Sequence, residues 1–349
     1  MPYLPDCIRS ILAQDDPNWC CVFVDGYSTD GSWEYMQQFA PDPRFRLLRG
    51  LRQGMYADWN VCLSQVETEY VYFLTSDDTC FPSLVSTTVA ALDAYPHLDV
   101  CHFRFDLINE LGNRVIPHQT LVETAFGIYA DINQFAHIRA GISEFMMHFV
   151  YRALYQTITS LVFRHRLVEK VGGFSTNYGA IADYDWTMRL GLYTDVLYIP
   201  KLLATWRVYN GQATEDCMLP HITAMLLAIA QKNLAQFKSS HFAQTFKQPI
   251  HDQRILADLY NEHACSLYRS IKSAQSRSQA WEYMIALFQN YPLYPIKKSL
   301  SRFFHNRLYS YQGRTAFARR LIETYGLSWL PTPVDIPSGH LVQGLSAEC

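Results

Sequence analysis

The chain has 349 residues, with 29 basic and 32 acidic side chains, 49% hydrophobic and 14% aromatic residues. This composition excludes a disordered chain, the net charge of −3 disfavours a nucleic-acid binder, and the length allows a sizeable core and two domains. No apolar run approaches the ~20 residues needed to span a bilayer, and nine cysteines without CxxC spacing argue for a reducing compartment and against structural zinc.

The N-terminal segment carries no targeting pattern, so the chain reads as cytoplasmic. Ser10-Ile11-Leu12-Ala13-Gln14 closes a first helix. Cys20 to Asp25 is an apolar strand ending in an acid, and the turn after it holds Gly26, Tyr27, Ser28, Thr29, Asp30 and Gly31. Ser32 is placed to cap a helix from Trp33 to Phe39. A short strand near Phe45 to Leu48 precedes G-M-Y-A-D-W-N, Gly54 to Asn60, which opens a helix running to about Val66. Tyr70 to Thr79, Y-V-Y-F-L-T-S-D-D-T, is again a buried strand, and it ends in two adjacent carboxylates. Such a strand delivers acids to the mouth of an α/β sheet, where ligands bind beyond the strand carboxyl ends. Adjacent carboxylates repel unless a cation lies near, so a divalent metal is a natural partner; a plain Ser-Asp-Asp turn is the bland alternative.

A helix from Phe81 to Tyr95, a strand from Val100 to Phe105 and a turn at Asn109 to Asn113 before Arg114 to Ile116 follow. The alternation implies a mostly parallel sheet. Leu121 to Gln156 is less regular. Beyond Thr214 the pattern becomes helical: 218–237, 252–273, 276–290 and shorter helices to Tyr325. Prolines at 331, 333 and 337 mark an irregular tail. The expected division is 1–213, 214–325 and 326–349.

These blocks resemble the nucleotide-sugar glycosyltransferases of family 2, which have the GT-A fold. The family pattern is an S-I-L-x-Q helix, V-D-(D/G)-x-S-x-D-G-(S/T), G-x-x-x-A-x-N and F-L-x-x-D-D, and the chain has its counterparts in that order. Leu161 to Thr214 adds a G-G-F turn, the acidic helix A-D-Y-D-W-T-M-R-L, a strand ending in Y-I-P and W-R-V-Y. The resemblance covers roughly residues 3 to 214. It implies an inverting, metal-dependent transfer of a sugar from a nucleotide diphosphate, with a UDP-sugar the expected donor and a saccharide or lipid-linked glycan the acceptor. One departure matters. The family opens with a buried strand just before the first helix, and Met1 falls inside that boundary. A gap in the sheet with unpaired edges is the expected consequence, and a start lying upstream is the favoured explanation.

The resemblance implies roles residue by residue. Asp78 aligns with the acid that holds Mn²⁺ or Mg²⁺, and Asp77 would approach the ribose or sugar. Asp25 would contact the nucleotide; Gly26 stands where a second acid is usual, Tyr27 could stack on a base or simply pack, and Ser28 belongs to the same loop. Asp30 is equally a turn or cap residue. Asp183 aligns with the general base that takes the acceptor hydroxyl proton; Asp185 is its rival, with an ion pair to Arg189 as the structural alternative. Arg207 would lie near the diphosphate, while Tyr209 replaces a family histidine. Trp186 would line the acceptor site or pack in the core.

Charge is uneven along the chain. Residues 1–213 carry 15 basic and 23 acidic side chains, and residues 214–349 carry 14 and 9. Tyr283 to Ile322 has no acid and interleaves Lys297, Lys298, Arg302, Arg307, Arg314, Arg319 and Arg320 with aromatic rings. This fits peripheral contact with the inner face of the plasma membrane, or a helical domain with a solvated basic face. A GT-A-like binding or scaffold protein without turnover is the alternative to an enzyme, motivated by the absent strand, Ala182 and Tyr209.

Overall fold

The computed structural model describes residues 2–116, 128–152, 154–209, 219–296 and 311–337. The boundary expected at 213/214, residues 121–127 of the irregular segment, 297–310 of the basic aromatic stretch and the last twelve residues lie outside them.

Helix α1 (Leu4–Leu12) leads to strand β1 (Cys21–Asp25), helix α2 (Ser32–Gln37), strand β2 (Phe45–Arg49), helix α3 (Met55–Ser64), strands β3 (Tyr70–Tyr72) and β4 (Thr79–Cys80), helix α4 (Leu84–Ala94) and strand β5 (Val100–Ile108). Strand β6 (His137–Arg139), helix α5 (Gly141–Met147), strand β7 (Leu161–Arg164) and helices α6 (His165–Val171) and α7 (Ala182–Leu190) come next, followed by the long strand β8 (Val196–Arg207). Helices α8 (Pro220–Lys238), α9 (Asp252–Ile255), α10 (Ala257–Ser273), α11 (Arg277–Asn290) and α12 (Tyr311–Thr324) precede a two-residue strand β9 (Thr332–Pro333).

The strands form two sheets. β1 and β2 pair in parallel by themselves, and seven strands run in the order β3-β7-β5-β8-β6-β9 with β4 also on β8. Among the described residues no ladder joins β1 to β3, so the break expected in the sheet is present. Cys21 to Val24 are accordingly only half-buried along an apolar strand. Helix α1 bridges the pieces: Leu4 and Ile8 pack with Met36 and Phe45 beside the small sheet, while the Ser10 hydroxyl accepts the Cys80 amide at 3.1 Å.

The ladders correct the expectation of a mostly parallel sheet. β1–β2 and β5–β8 are parallel, whereas β3–β7, β5–β7, β4–β8, β6–β8 and β6–β9 are antiparallel. The simple strand–helix alternation ends at β5; later strands enter by loops and turns, which permit reversed pairing. The tail also contributes regular structure, since β9 pairs with β6. Central β5 and β8 are flanked on both sides, which is why V-C-H-F and V-L-Y-I are buried through four consecutive residues.

The main core runs from Phe73 and Phe163 through Trp186 and Phe145 to Ile229, Phe237 and Ile322. The C-terminal helices therefore share one core with the sheet domain. Each fully buried large side chain of this kind contributes about 1.5–3 kcal/mol of transfer free energy. Trp186 belongs here: it is fully buried, and its Nε1 donates to Gly172 O at 2.9 Å. α11 packs Leu287 against Ala264 and Leu267 of α10 and leaves Trp281, Ile285 and Phe288 exposed at helical spacing.

Candidate active site

Three groups of polar side chains gather at strand ends and at the α7 N-terminus. The first is at the end of β3. After Tyr72 the chain turns through Thr75 to Asp78, with the Asp78 amide on Thr75 O at 3.0 Å. Asp78 is fully buried. Its Oδ2 accepts the hydroxyls of Thr75 at 2.6 Å and Thr159 at 2.7 Å, and its Oδ1 accepts the Arg207 amide at 2.8 Å. Burial, then the neighbouring Asp77, pushes its pKa up to about 7. Asp77 is half-buried, and its Oδ2 accepts the Tyr209 hydroxyl at 3.2 Å. Burial and Asp77 push that phenol up to about 12.

Both oxygens of Asp78 accept hydrogen bonds inside the protein, and the more accessible acid of the pair is Asp77. Arg207 braces this turn. Its guanidinium is buried, donates to Asp77 O (2.8 Å), Asn109 O (2.9 Å) and Glu110 O (3.2 Å), reaches Asp6 at 3.3 Å, and stacks on Tyr3. A guanidinium hydrogen-bonded to these carbonyls holds the acid turn in place. β8 delivers it there because Thr205, two residues earlier, is paired with Thr79 of β4.

The second group is at the ends of β1 and β2. Asp25 is buried, accepts the amides of Tyr27 (3.0 Å) and Ser28 (3.1 Å), and pairs with Arg49. Ser28 itself is exposed. Tyr27 and Arg52 both adopt left-handed backbone (φ 66° and 54°), which is uncommon outside glycine and concentrates at functional sites. Their side chains stack at 4.1 Å, and Arg49 lies 3.9 Å over Trp33. Tyr27 remains 43% exposed, so this cation–aromatic wall faces outward. Asp30 takes the turn role: its Oδ1 accepts the Ser32 amide and hydroxyl at 3.1 and 2.6 Å.

Sequence reasoning missed a carboxylate here. Asp58, in the first turn of α3, lies against both strand ends: a Cβ on Gly26 would stand 2.9 Å from its Oδ2, and one on Gly50 would meet its Oδ1. Burial raises its pKa, the Leu51 amide opposes that, and Asp25 adds to it. Residue 26 is glycine where a second acid is usual, and an acid from α3 occupies the adjoining space. The signal was in the sequence as A-D-W-N, but nothing there showed that the side chain turns toward Gly26.

The third group is at the start of α7. Asp183 is partly exposed, accepts the Tyr184 amide at 2.9 Å, and has its pKa raised by burial. Asp185 is buried and committed: it pairs with Arg189 at 2.9 Å and accepts Asn233 Nδ2 of α8 at 3.1 Å. It ties α7 to α8 and has the structural role weighed for it. Asn60 fixes the G-G-F turn by a reciprocal pair of 2.8 Å bonds with Phe174, and Gly173 is glycine because a Cβ would stand 2.6 Å from Asn60 Oδ1.

Among the described residues, no three His, Cys, Asp or Glu side chains are placed to hold a metal ion by themselves. A hard cation that accompanies a diphosphate needs only one or two carboxylates, the remaining oxygens coming from phosphate and water. A half-exposed Asp77 fits that requirement.

An α/β sheet with acids at its strand ends and a helical flank defines the class: the chain has the GT-A glycosyltransferase fold, here with the sheet in two pieces. S. aureus TarS 1–349, solved in complex with UDP-GlcNAc, superposes with a TM-score of 0.56 at 17% identity, covering 94% of this chain and 89% of that one. Residues 1–158 match the model of glycosyl transferase family 2. EpsE of Bacillus subtilis (strain 168), named as a glycosyltransferase, is 31% identical over 120 residues, 33% of this chain and 43% of its own length. TuaG of the same organism, a glycosyltransferase named for teichuronic acid biosynthesis, is 35% identical over 78 residues, 22% of this chain and 31% of its own length. The chain thus aligns with less than half the length of these relatives.

Proposed function

We propose that the protein is an inverting, metal-dependent glycosyltransferase that moves a sugar from a nucleotide diphosphate, a UDP-sugar first among candidates, to an envelope glycan acceptor. The observation that carries this reading is the acid turn after β3, where a buried Asp78 and a buried Arg207 hold Asp77 half-exposed at the sheet edge. Asp77, with the donor's phosphates, would hold Mn²⁺ or Mg²⁺, whose chemistry is to neutralise charge on the leaving diphosphate. Asp25, Tyr27, Ser28 and Asp58 line the nucleotide end, with the exposed Tyr27 ring offering a stacking face. Asp183 takes the acceptor hydroxyl proton as that oxygen bonds to the anomeric carbon. The bond from that carbon to the diphosphate oxygen breaks, and its electron pair leaves with the nucleotide. Asp183 suits the task because its raised pKa makes it a stronger base than an exposed aspartate.

The name of TuaG, which refers to teichuronic acid biosynthesis, supports an envelope polysaccharide as product. A lipid-linked acceptor is favoured by the exposed Trp281, Ile285 and Phe288 stripe of α11, followed in sequence by the acid-free basic stretch. No described helix is long and apolar enough to cross a membrane, so that contact would be peripheral, at a cytoplasmic membrane face. Titration calorimetry with UDP, GDP and their sugar conjugates, with and without Mn²⁺, tests the donor site. Metal-dependent binding of one nucleotide supports it; silence from folded protein leaves the scaffold reading in its place.

A further inference from the structure

We propose that Tyr209 is the positioning residue for Asp77 and sets which cation that acid accepts. By holding one carboxylate oxygen it leaves Asp77 the other alone, a ligation that favours a small octahedral Mg²⁺ or Mn²⁺ over Ca²⁺. The inference rests on the reading of Asp77 as the metal ligand and adds to it a residue just past the end of β8.

The backbone and the side chain of Asp77 are held separately. Its carbonyl accepts Arg207 Nε at 2.8 Å, and the next residue, Asp78, is buried and bonded through both oxygens. On the side chain, Oδ2 accepts the Tyr209 hydroxyl at 3.2 Å, and Oδ1 accepts no hydrogen bond among the described residues. Tyr209 is itself supported from behind. Its ring packs on Tyr3 with centroids 5.1 Å apart, the Arg207 guanidinium lies 4.4 Å from the Tyr3 ring, and the same guanidinium reaches Asp6 Oδ2 at 3.3 Å. The start of α1 and the end of β8 thus clamp the phenol in place against the acid.

A neutral phenol donates its proton, so it competes with a cation for Oδ2 and leaves Oδ1 unopposed. Bidentate ligation needs both oxygens. Ca²⁺ gathers about 6–8 oxygens in flexible geometry and takes carboxylates either way, whereas Mg²⁺ demands a near-ideal octahedron and keeps several waters. Restricting Asp77 to one oxygen therefore removes a ligand that Ca²⁺ can use and removes nothing from an octahedral ion. The same hydrogen bond fixes the direction of Oδ1, and partners that orient a ligating carboxylate are typically worth ~10–100-fold in metal affinity.

The test uses the full chain. Calorimetry measures binding of UDP or GDP in Mg²⁺ and in Ca²⁺, with a thermal melt of each protein beside it. Tyr209→Phe should weaken Mg²⁺-supported binding about 10-fold and Ca²⁺-supported binding by less, so that the preference for Mg²⁺ narrows. A loss that is equal in the two cations, or a preference that does not move, means that Tyr209 only packs, and overturns the proposal. Should Tyr209→Phe not fold, Tyr3→Leu decides by the same ratio, since it withdraws the ring behind Tyr209 and keeps the hydroxyl. Asp77→Asn separates the two claims. If it retains Mg²⁺-supported binding, the reading of Asp77 as metal ligand fails and the proposal with it. If it loses that binding while Tyr209→Phe keeps the preference of the unaltered chain, only the positioning role fails. Absence of cation-supported binding in the unaltered chain overturns both.

Discussion

Replacing the two acids of the β3 turn one at a time should give opposite results, in the reverse of the order that the sequence implies. In Asp78→Asn, the amide Oδ1 can still accept the Arg207 amide, and Nδ2 can donate to Thr75 and Thr159, whose hydroxyls rotate to accept. Fold and donor binding should survive. Asp78→Ala removes the acceptor of all three donors, of which the buried Arg207 amide has no freedom to turn elsewhere. At ~1–3 kcal/mol for a buried group left unsatisfied, the loss is roughly 3 kcal/mol, enough to lower Tm by several degrees. Asp77→Asn should leave Tm almost unchanged, since the partner at stake is the half-buried Tyr209 hydroxyl, and should weaken Mn²⁺-dependent UDP binding more than ~10-fold, the least that even an indirect metal partner is worth. Calorimetric titration beside a thermal melt reads both quantities. If Asp78→Asn abolishes metal-dependent binding with an unchanged melt while Asp77→Asn binds normally, Asp78 is the metal ligand and the reasoning from burial is wrong.

Three further outcomes are expected. His137 and His148 are buried, and burial pushes each pKa down to about 4. The unfolded chain then binds more protons than the folded one between pH ~6.5 and ~4, so stability is complete above that window and falls through it on acidification, by on the order of 3 kcal/mol per histidine. Urea midpoints at pH 7 and pH 5 should differ accordingly, and His148→Gln should flatten the slope; equal midpoints would contradict it. Asp185→Asn should cost stability by breaking the tie to Arg189 and Asn233 while sparing turnover, whereas Asp183→Asn should abolish turnover at unchanged Tm. Gly26→Asp restores the usual second acid yet should impair nucleotide binding, because its Cβ and charge meet Asp58. Adding Asp58→Ala should recover binding, with a coupling of about 0.5–3 kcal/mol in a double-mutant cycle; additive losses would argue that the two positions are independent.

Much of the framework was legible because it depends on local pattern. Apolar runs ending in acids located β1 and β3, and Asn109 to Asn113 turns as expected, with Gly112 left-handed. The break in the sheet was expected from the resemblance, whose opening strand has no counterpart in this sequence. What failed to show was non-local. The burial of Asp78 depends on Thr159, eighty-one residues away, and that of Arg207 on carbonyls of the Asn109 turn; neither leaves a trace in sequence spacing. Ladder direction was misjudged for the same reason, since alternation fixes which segments are strands without fixing how a late strand such as β7 enters between β3 and β5. Asp185 and Asp183 are two residues apart, and what separates them beyond the local Arg189 ion pair is packing: Asp185 is buried and meets Asn233 of α8, while Asp183 stays partly exposed.

The short helix α3 accounts for how a site can be assembled across a sheet that comes in two pieces. Tyr56 and Asn60 are four residues apart and so share one face; both reach the segment from Phe174 to Asp183 that carries the proposed base. Asp58, between them in sequence, points away from that face to the ends of β1 and β2. One rigid helical turn thus links the ends of β1 and β2 in the small sheet to the segment leading into α7, with no strand ladder between the two sheets among the described residues. Rigidity matters more than strength in that role: none of these bonds is individually large, but a misplacement of about 1 Å between donor and base costs on the order of 100-fold in rate. Two of the glycines beside this turn, Gly26 and Gly173, have neighbours from α3 within 2.6–2.9 Å of an added Cβ, so the close approach of α3 on both sides is built into the backbone. The G-M-Y-A-D-W-N motif is therefore better understood as the hinge pin of the site than as a loop beneath the nucleotide.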